Sequence, residues 1–173
     1  WDTRNFSAGV MADGRLGIVC TRFRAAKPAG TEIHDPVFIF SDDGGRHWQA
    51  RDMARPSADS HVNFHGDILA WPGAAGGSDT GGFAAFSYST PHKHIDGLYT
   101  ADNGDSWHWR RGICQPDPQI APFLTEQWTA RLGDRQMWMM VARATTHGAP
   151  ADAAVFFSRD LQHWEGPLPT GLP

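Results

Sequence analysis

Apolar and polar positions alternate in short runs along this chain, and no stretch keeps apolar residues at helical spacing for three turns. The runs form three similar series. In the first, Phe6 to Ala12 and Leu16 to Arg22 flank Asp13-Gly14, a dipeptide suited to a hairpin turn. Phe23 to Asp35 reads as a loop, and Val37 to Ser41 and Trp48 to Met53 bracket a second turn. The second series runs Val62 to Trp71, a Gly-rich turn from Pro72 to Gly82, Phe83 to Ser89, a loop from Thr90 to Asp96, Gly97 to Thr100, a turn, and Trp107 to Arg111. In the third, Phe123 to Arg131 and Gln136 to Arg143 flank Leu132-Gly133-Asp134-Arg135; a loop from Ala144 to Asp152, Ala153 to Ser158, a turn and a last strand at Trp164 follow. Each series predicts four antiparallel strands in up-and-down order.

The turn before each fourth strand is one device used three times. Its copies are Ser41-Asp42-Asp43-Gly44-Gly45-Arg46-His47-Trp48, Thr100-Ala101-Asp102-Asn103-Gly104-Asp105-Ser106-Trp107 and Ser158-Arg159-Asp160-Leu161-Gln162-His163-Trp164. The template is Ser/Thr-x-Asp-x-Gly-x-x-Trp, with Leu161 in place of the glycine in the last copy. Asp43, Asp102 and Asp160 lie 59 and 58 residues apart. The short polar side chains bond backbone N–H groups to close the turn, glycine supplies positive φ, and the Trp is expected to pack under the next sheet. Four-stranded antiparallel units at this period predict an all-β chain of three β-propeller blades, approximately 1–58, 59–117 and 118–173, which use up all 173 residues as a single partial domain.

Composition agrees: 12% of residues are aromatic, with eight Trp, 19 Gly and 12 Pro. A formal net charge of −4 argues against a general nucleic-acid binder. Cys20 and Cys114 are too few for a disulfide framework and are expected to be separate thiols. No apolar run is long enough to insert into a membrane as a helix, and no leader pattern opens the chain. With Trp1 at its start, the chain is expected to be excised from a longer polypeptide.

Antiparallel order sorts residues onto two ends of the sheets. Every Asp turn falls at one end; the starts of first strands and the loops after second strands fall at the other. That second end collects Arg4, Asn5, Arg22, Arg24, Glu32, His34 and Asp35, then His61, His92, Lys93 and His94, then Glu126, Arg143 and His147. Arg4, Glu126 and Arg143 stand out because a guanidinium directed towards a propeller axis needs a partner or an anion, and its fork fits a carboxylate. The plain alternative is that Glu126 and Arg143 only pair with each other. His61, at the start of a first strand, is either a residue that protonates or orients a substrate or a packed, hydrogen-bonded histidine. His92-Lys93-His94 lacks a third ligand at convincing spacing, so a solvated loop is expected rather than a metal site. His47, His108 and His163 lie at the Asp-turn end and are expected to be surface residues.

The Ser/Thr-x-Asp-x-Gly-x-x-Trp element resembles the Asp box (BNR repeat) of sialidases, six-bladed propellers whose site lies opposite the Asp boxes. Arg4-Asn5-Phe6-Ser7-Ala8-Gly9-Val10 before Asp13-Gly14-Arg15-Leu16 is similar to that family's first blade, and Glu126 and Arg143 around Leu132-Gly133-Asp134 are similar to its glutamate and arginine. More narrowly, Arg4 to Val10, the His61 segment, and Arg143 with Ser158-Arg159-Asp160 and Trp164-Glu165 resemble the endosialidase tailspikes of bacteriophages. The resemblance implies half of a six-bladed sialidase-like propeller in a glycoside hydrolase that cleaves sialic acid linkages, internal ones in polysialic acid above all. It implies that Arg4 and Arg143 bind the substrate carboxylate and that Glu126 acts as base, on water in an endo enzyme or on a tyrosine in an exo enzyme. Asp35, or Glu32, is the nearest match to the acid/base of exo enzymes; a loop or strand-capping role before Pro36 is the other reading. The family's third arginine and its nucleophilic tyrosine have no match here, since Tyr88 and Tyr99 stand elsewhere. No cofactor and no metal are implied. The implied partners are a sialylated or polyanionic glycan and either further propeller blades or a second copy of the chain, in an extracellular setting, secreted or virion-borne. An exo-sialidase and a non-catalytic glycan-binding or structural propeller are the alternatives.

Overall fold

The structure, a computed structural model, describes residues 2–26, 31–71, 81–89, 92–133, 137–146, 149–150 and 153–171. Alternating runs closed by tight turns give three antiparallel sheets in succession. Sheet one holds β1 (Asp2–Val10), β2 (Leu16–Ala26), β3 (Thr31–Ser41) and β4 (Gln49–Asp52), in that order. Sheet two holds β5 (Val62–Phe64), β6 (Leu69–Ala70), β7 (Phe83–Ser89), β8 (Ile95–Thr100) and β9 (His108–Cys114), ordered β5-β7-β8-β9 with β6 also on β7. Sheet three holds β10 (Leu124–Arg131), β11 (Trp138–Thr146), β12 (Ala149–Pro150), β13 (Ala154–Ser158) and β14 (Trp164–Pro169), ordered β10-β11-β13-β14 with β12 on β11. Among the described residues there is no helix, and the architecture is that of a partial propeller. Cys20 and Cys114 are separate buried thiols; burial raises both, Cys20 to about 11 and Cys114 well above the usual range, which leaves them inert.

Four expectations need correction. The stretch from Ala144 to Asp152 is partly strand: β11 runs to Thr146 and pairs with β12 through Thr145↔Pro150 and Thr146↔Ala149. The stretch from Phe23 to Asp35 is mostly strand: β2 and β3 stay paired through Arg22↔Asp35, Phe23↔His34 and Ala26↔Thr31. Arg22 and Asp35 are cross-strand neighbours, and the Pro36 carbonyl still accepts from the Met53 N–H at 3.1 Å. The run Val62 to Trp71 is broken into β5 and β6, because Gly66 adopts φ +89 and the chain there turns to sheet one, where the Ile68 N–H donates to the Ala8 carbonyl at 2.8 Å. The Gly-rich turn that follows lies largely outside the described residues. Finally, the tryptophans of the Asp turns pack against the preceding sheet, not the next. Trp107 meets Phe38 of sheet one edge-on at 5.3 Å, and Trp164 meets Phe86 of sheet two at 5.6 Å. Trp48 has no preceding sheet in this chain and is 44% exposed.

Two apolar cores fill the spaces between sheets. Phe38, Phe40, Phe64, Phe83 and Leu98 fill the space between sheets one and two; Phe86, Leu124, Met140, Phe156 and Leu161 fill the space between two and three. Polar contacts repeat with the sheets. Arg51 of β4 donates to the Gly104 and Asp105 carbonyls of the second Asp turn, and Arg110 of β9 donates to Gln162 of the third. The turn joining β1 to β2 also reaches the second Asp turn, through the Ala12 N–H to Asn103 Oδ1 at 3.1 Å. All three Asp turns therefore share one end of the array.

Each turn is closed by its own side chains. Ser41 Oγ accepts from the Gly45 N–H at 2.8 Å, and Asp43 Oδ1 accepts from the Arg46 and His47 N–H groups at 3.0 and 2.9 Å. Thr100 with Asp102 and Ser158 with Asp160 repeat the pattern, and Leu161 holds the glycine position at φ +63 as a fully buried side chain. The His47 backbone and side-chain bonds hold Asp43 down to about 2; at Asp160 burial works the other way but the His163 and Gln162 bonds outweigh it, again giving about 2. Asp102 is lowered by the same balance, with Ser106 and Thr100 as donors. These folded values lie below the unfolded one of about 3.9. The turns thus contribute stability that is present above about pH 4 and lost as pH falls towards about 2. Melting temperature should decline across that window, and Asp102→Asn should make the decline shallower; an unchanged slope would show that the turn carboxylates do not carry the acid response.

Candidate functional site

At the end opposite the Asp turns, two first strands bulge. In β10, Leu124 pairs with Ala144 and Gln127 with Ala142, so Thr125 and Glu126 together face Arg143. In β1, Arg4 pairs with Thr21 and Phe6 with Cys20, and Asn5 between them adopts φ +50. A bulge re-aims side chains and is common beside functional sites. Its consequence in sheet three is direct: Arg143 Nη1 lies 3.2 Å from both Glu126 oxygens. Burial pushes the Glu126 carboxyl up, but bonds from the Thr125 hydroxyl and the backbone, with the Arg143 charge, outweigh it and leave the group below its ordinary value. Glu126 is therefore ionised at neutral pH and able to take a proton rather than supply one.

This pair is 41% exposed at Glu126 and 62% at Arg143. Ion pairs of that kind contribute about 0–1 kcal/mol, so stability alone gives little reason for it. Arg143 uses one of its nitrogens on Glu126, and among the described residues nothing else bonds its guanidinium. The remaining N–H groups of a guanidinium are of the kind that recognise a carboxylate.

Arg4 sits at the same end on β1, but its side chain lies outside the described part of the structure, as do those of Arg24, Glu32 and His34; His147 is outside altogether. Asp35 takes an ion pair from Arg55 Nε at 3.6 Å, and Arg22 pairs with Asp52 at 2.8 Å. His61 precedes β5, where its carbonyl accepts from Asn63 Nδ2 at 3.2 Å. His92 and His94 stack at 5.4 Å, His92 reaching Asp59 at 3.5 Å and His94 the buried Asp96 at 2.9 Å. Among the described residues no group of three His, Cys, Asp or Glu is placed to hold a metal ion.

Two side chains beside the pair were not singled out by sequence. Tyr88 and His65 stack with ring centres 5.8 Å apart, and the Glu126 charge acts on both. Burial lowers His65, with Glu126 opposing, so the imidazole is neutral at neutral pH. Burial raises Tyr88, which keeps its phenolic proton. The signal lay in the repeat: Phe83 pairs with Thr100 and Trp138 with Ser158, so Tyr88 holds in β7 the position that Arg143 holds in β11. Two hollows of about 280 and 200 Å³ lie at other places, one along Phe157, Asp160 and Trp164, the other along Arg51, Asp105 and Trp109.

The fold has solved counterparts. The chain is similar to an α-L-arabinanase of Penicillium chrysogenum complexed with arabinobiose, with a TM-score of 0.67, 15% identity, and coverage of 96% of this chain and 49% of that one. It is also similar to a protein of unknown function from Dyadobacter fermentans (0.63, 14%, 88% and 37%) and to a mutant NanB sialidase from Streptococcus pneumoniae (0.51, 14%, 87% and 20%). The chain spans less than half the length of each. At these identities the likeness establishes the β-propeller fold and nothing finer. No family model and no curated protein matches the sequence.

Proposed function

We propose that this chain is part of a sialidase-like glycoside hydrolase that acts on sialic acid linkages in acidic glycans, internal linkages of polysialic acid foremost. The observation that carries the reading is the Glu126–Arg143 pair: accessible, bulge-directed, opposite the Asp turns, and contributing little to stability. In this reading Arg143, with Arg4 from sheet one, binds the substrate carboxylate through its guanidinium fork. Glu126, already ionised, takes the proton of the attacking water. Asp35 and His61 belong to the same end as candidates for protonating the leaving oxygen. A glycan-binding module without turnover is the rival, favoured by the engagement of both Glu126 oxygens with Arg143. Shortening of polysialic acid by the protein in its closed, fully bladed state tests the reading; binding without shortening would leave the rival.

The reading extends to what covers the two end sheets, which we place on further blades or a second copy. On sheet one, Phe6 is 60% exposed on the side away from sheet two. On sheet three, Trp128, Val141, Val155 and Leu168 form one cross-strand apolar row, with Trp128 58% and Leu168 51% exposed. Such faces associate in water. Light scattering of the 173-residue chain should therefore show paired copies or aggregates, and Trp128→Glu should shift it towards monomer; a monodisperse monomer before substitution would contradict this.

A further inference from the structure

Beside the Glu126–Arg143 pair stands an aromatic wall with an unused donor. Tyr88 faces the core between sheets two and three, held there by the His65 ring. No described residue hydrogen-bonds its hydroxyl. The chain's other tyrosine shows what a structural role looks like: the Tyr99 hydroxyl is buried and donates to the Leu161 carbonyl at 2.6 Å. Tyr88 is partly accessible, lies within the fields of both Glu126 and Arg143, and occupies the strand position in sheet two that Arg143 occupies in sheet three. Its neighbour His65 has a buried Nε2 with no partner among the described residues, so the wall is polar and under-bonded there.

We propose that Tyr88 contacts the ligand of this site, donating its phenolic hydrogen to the carboxylate of an acidic sugar whose charge Arg143 holds. This rests on the function proposed above. The phenol remains protonated at neutral pH, as a donor must, because burial and the Glu126 carboxylate both disfavour the phenolate. His65 fixes the ring plane, which limits the rotamers lost on binding.

The test is calorimetric titration with a sialic acid trisaccharide and with its carboxyl-reduced analogue. Tyr88→Phe keeps the ring and its stack on His65 and removes only the hydroxyl, and an unchanged melting temperature confirms that the fold is intact. A hydrogen bond to a charged group corresponds to roughly a tenfold to hundredfold change in affinity. Tyr88→Phe should weaken the natural trisaccharide by that factor and leave the reduced analogue unaffected. Equal weakening of both sugars would assign the contact to a hydroxyl and overturn the carboxylate assignment. Unchanged affinity in Tyr88→Phe, with binding abolished in Arg143→Ala, would overturn the role of Tyr88 and leave the site standing. If neither substitution alters binding, the proposed site falls and this inference with it.

Discussion

Glu126→Gln should abolish nearly all turnover of polysialic acid while leaving the fold and the glycan affinity close to those of the unsubstituted protein. The substitution keeps the shape of the side chain and an oxygen for Arg143 Nη1, which now lies 3.2 Å from both carboxylate oxygens. What it removes is the group able to take a proton. Loss of a positioned general base typically lowers rates by about a hundredfold to ten-thousandfold. The fold should be spared because so exposed a pair contributes at most about 1 kcal/mol. Arg143→Ala makes the complementary case: affinity for the acidic glycan should collapse, again with little change in melting temperature. Steady-state digestion with parallel melting curves checks both. A Glu126→Gln protein with full turnover would remove the carboxylate from the mechanism, and a large loss of stability in either variant would return the pair to a structural role.

Trp107→Ala should cost about 3 kcal/mol, near the lower end of the range for deleting a large buried aromatic. Trp107 packs edge-on against Phe38 and joins the core between sheets one and two. Gly104 of the same turn approaches the Phe38 ring so closely that a Cβ there would come within 2.7 Å of it, so turn and core are built as one piece. For a chain of this length the loss amounts to roughly 6–12 °C in melting temperature. With sheet one uncovered, the equivalent Trp48→Ala should cost far less, since that side chain is 44% exposed. Equal losses would mean that Trp48 is covered in solution, which is the outcome expected if a partner sheet sits on sheet one. Comparing the two variants at low and high protein concentration separates these cases.

Much of the architecture was readable from residues because its signals are local. Phe83 to Ser89 matches β7 end to end, since apolar and small residues run without interruption between turn residues. The Asp turns were readable for the same reason: each closes on its own hydroxyl and carboxylate, within a few residues. What was not readable depends on partners distant in sequence. A Trp that must be buried does not say which sheet will bury it, and the direction proved to be backwards along the chain. Phe23 to Asp35 looked like a loop because pairing of Arg22 with Asp35 is visible only once β2 and β3 are aligned. Glu126 and Arg143 stand out in sequence through a resemblance that names strand ends. Tyr88 matches no tyrosine that the resemblance implies, whereas aligning the repeats on Thr100 and Ser158 brings it level with Arg143.

Ligand should bind at the end of the sheets opposite the Asp turns. Titration with a sialic acid trisaccharide, followed by amide chemical shifts of the labelled chain, reads this residue by residue. Perturbations should centre on Glu126, Gln127, Arg143 and Tyr88, with the amides of Asn103, Ser106 and His163 at the other end undisturbed. Shifts confined to the Asp turns, or no saturable shifts at all, would contradict it.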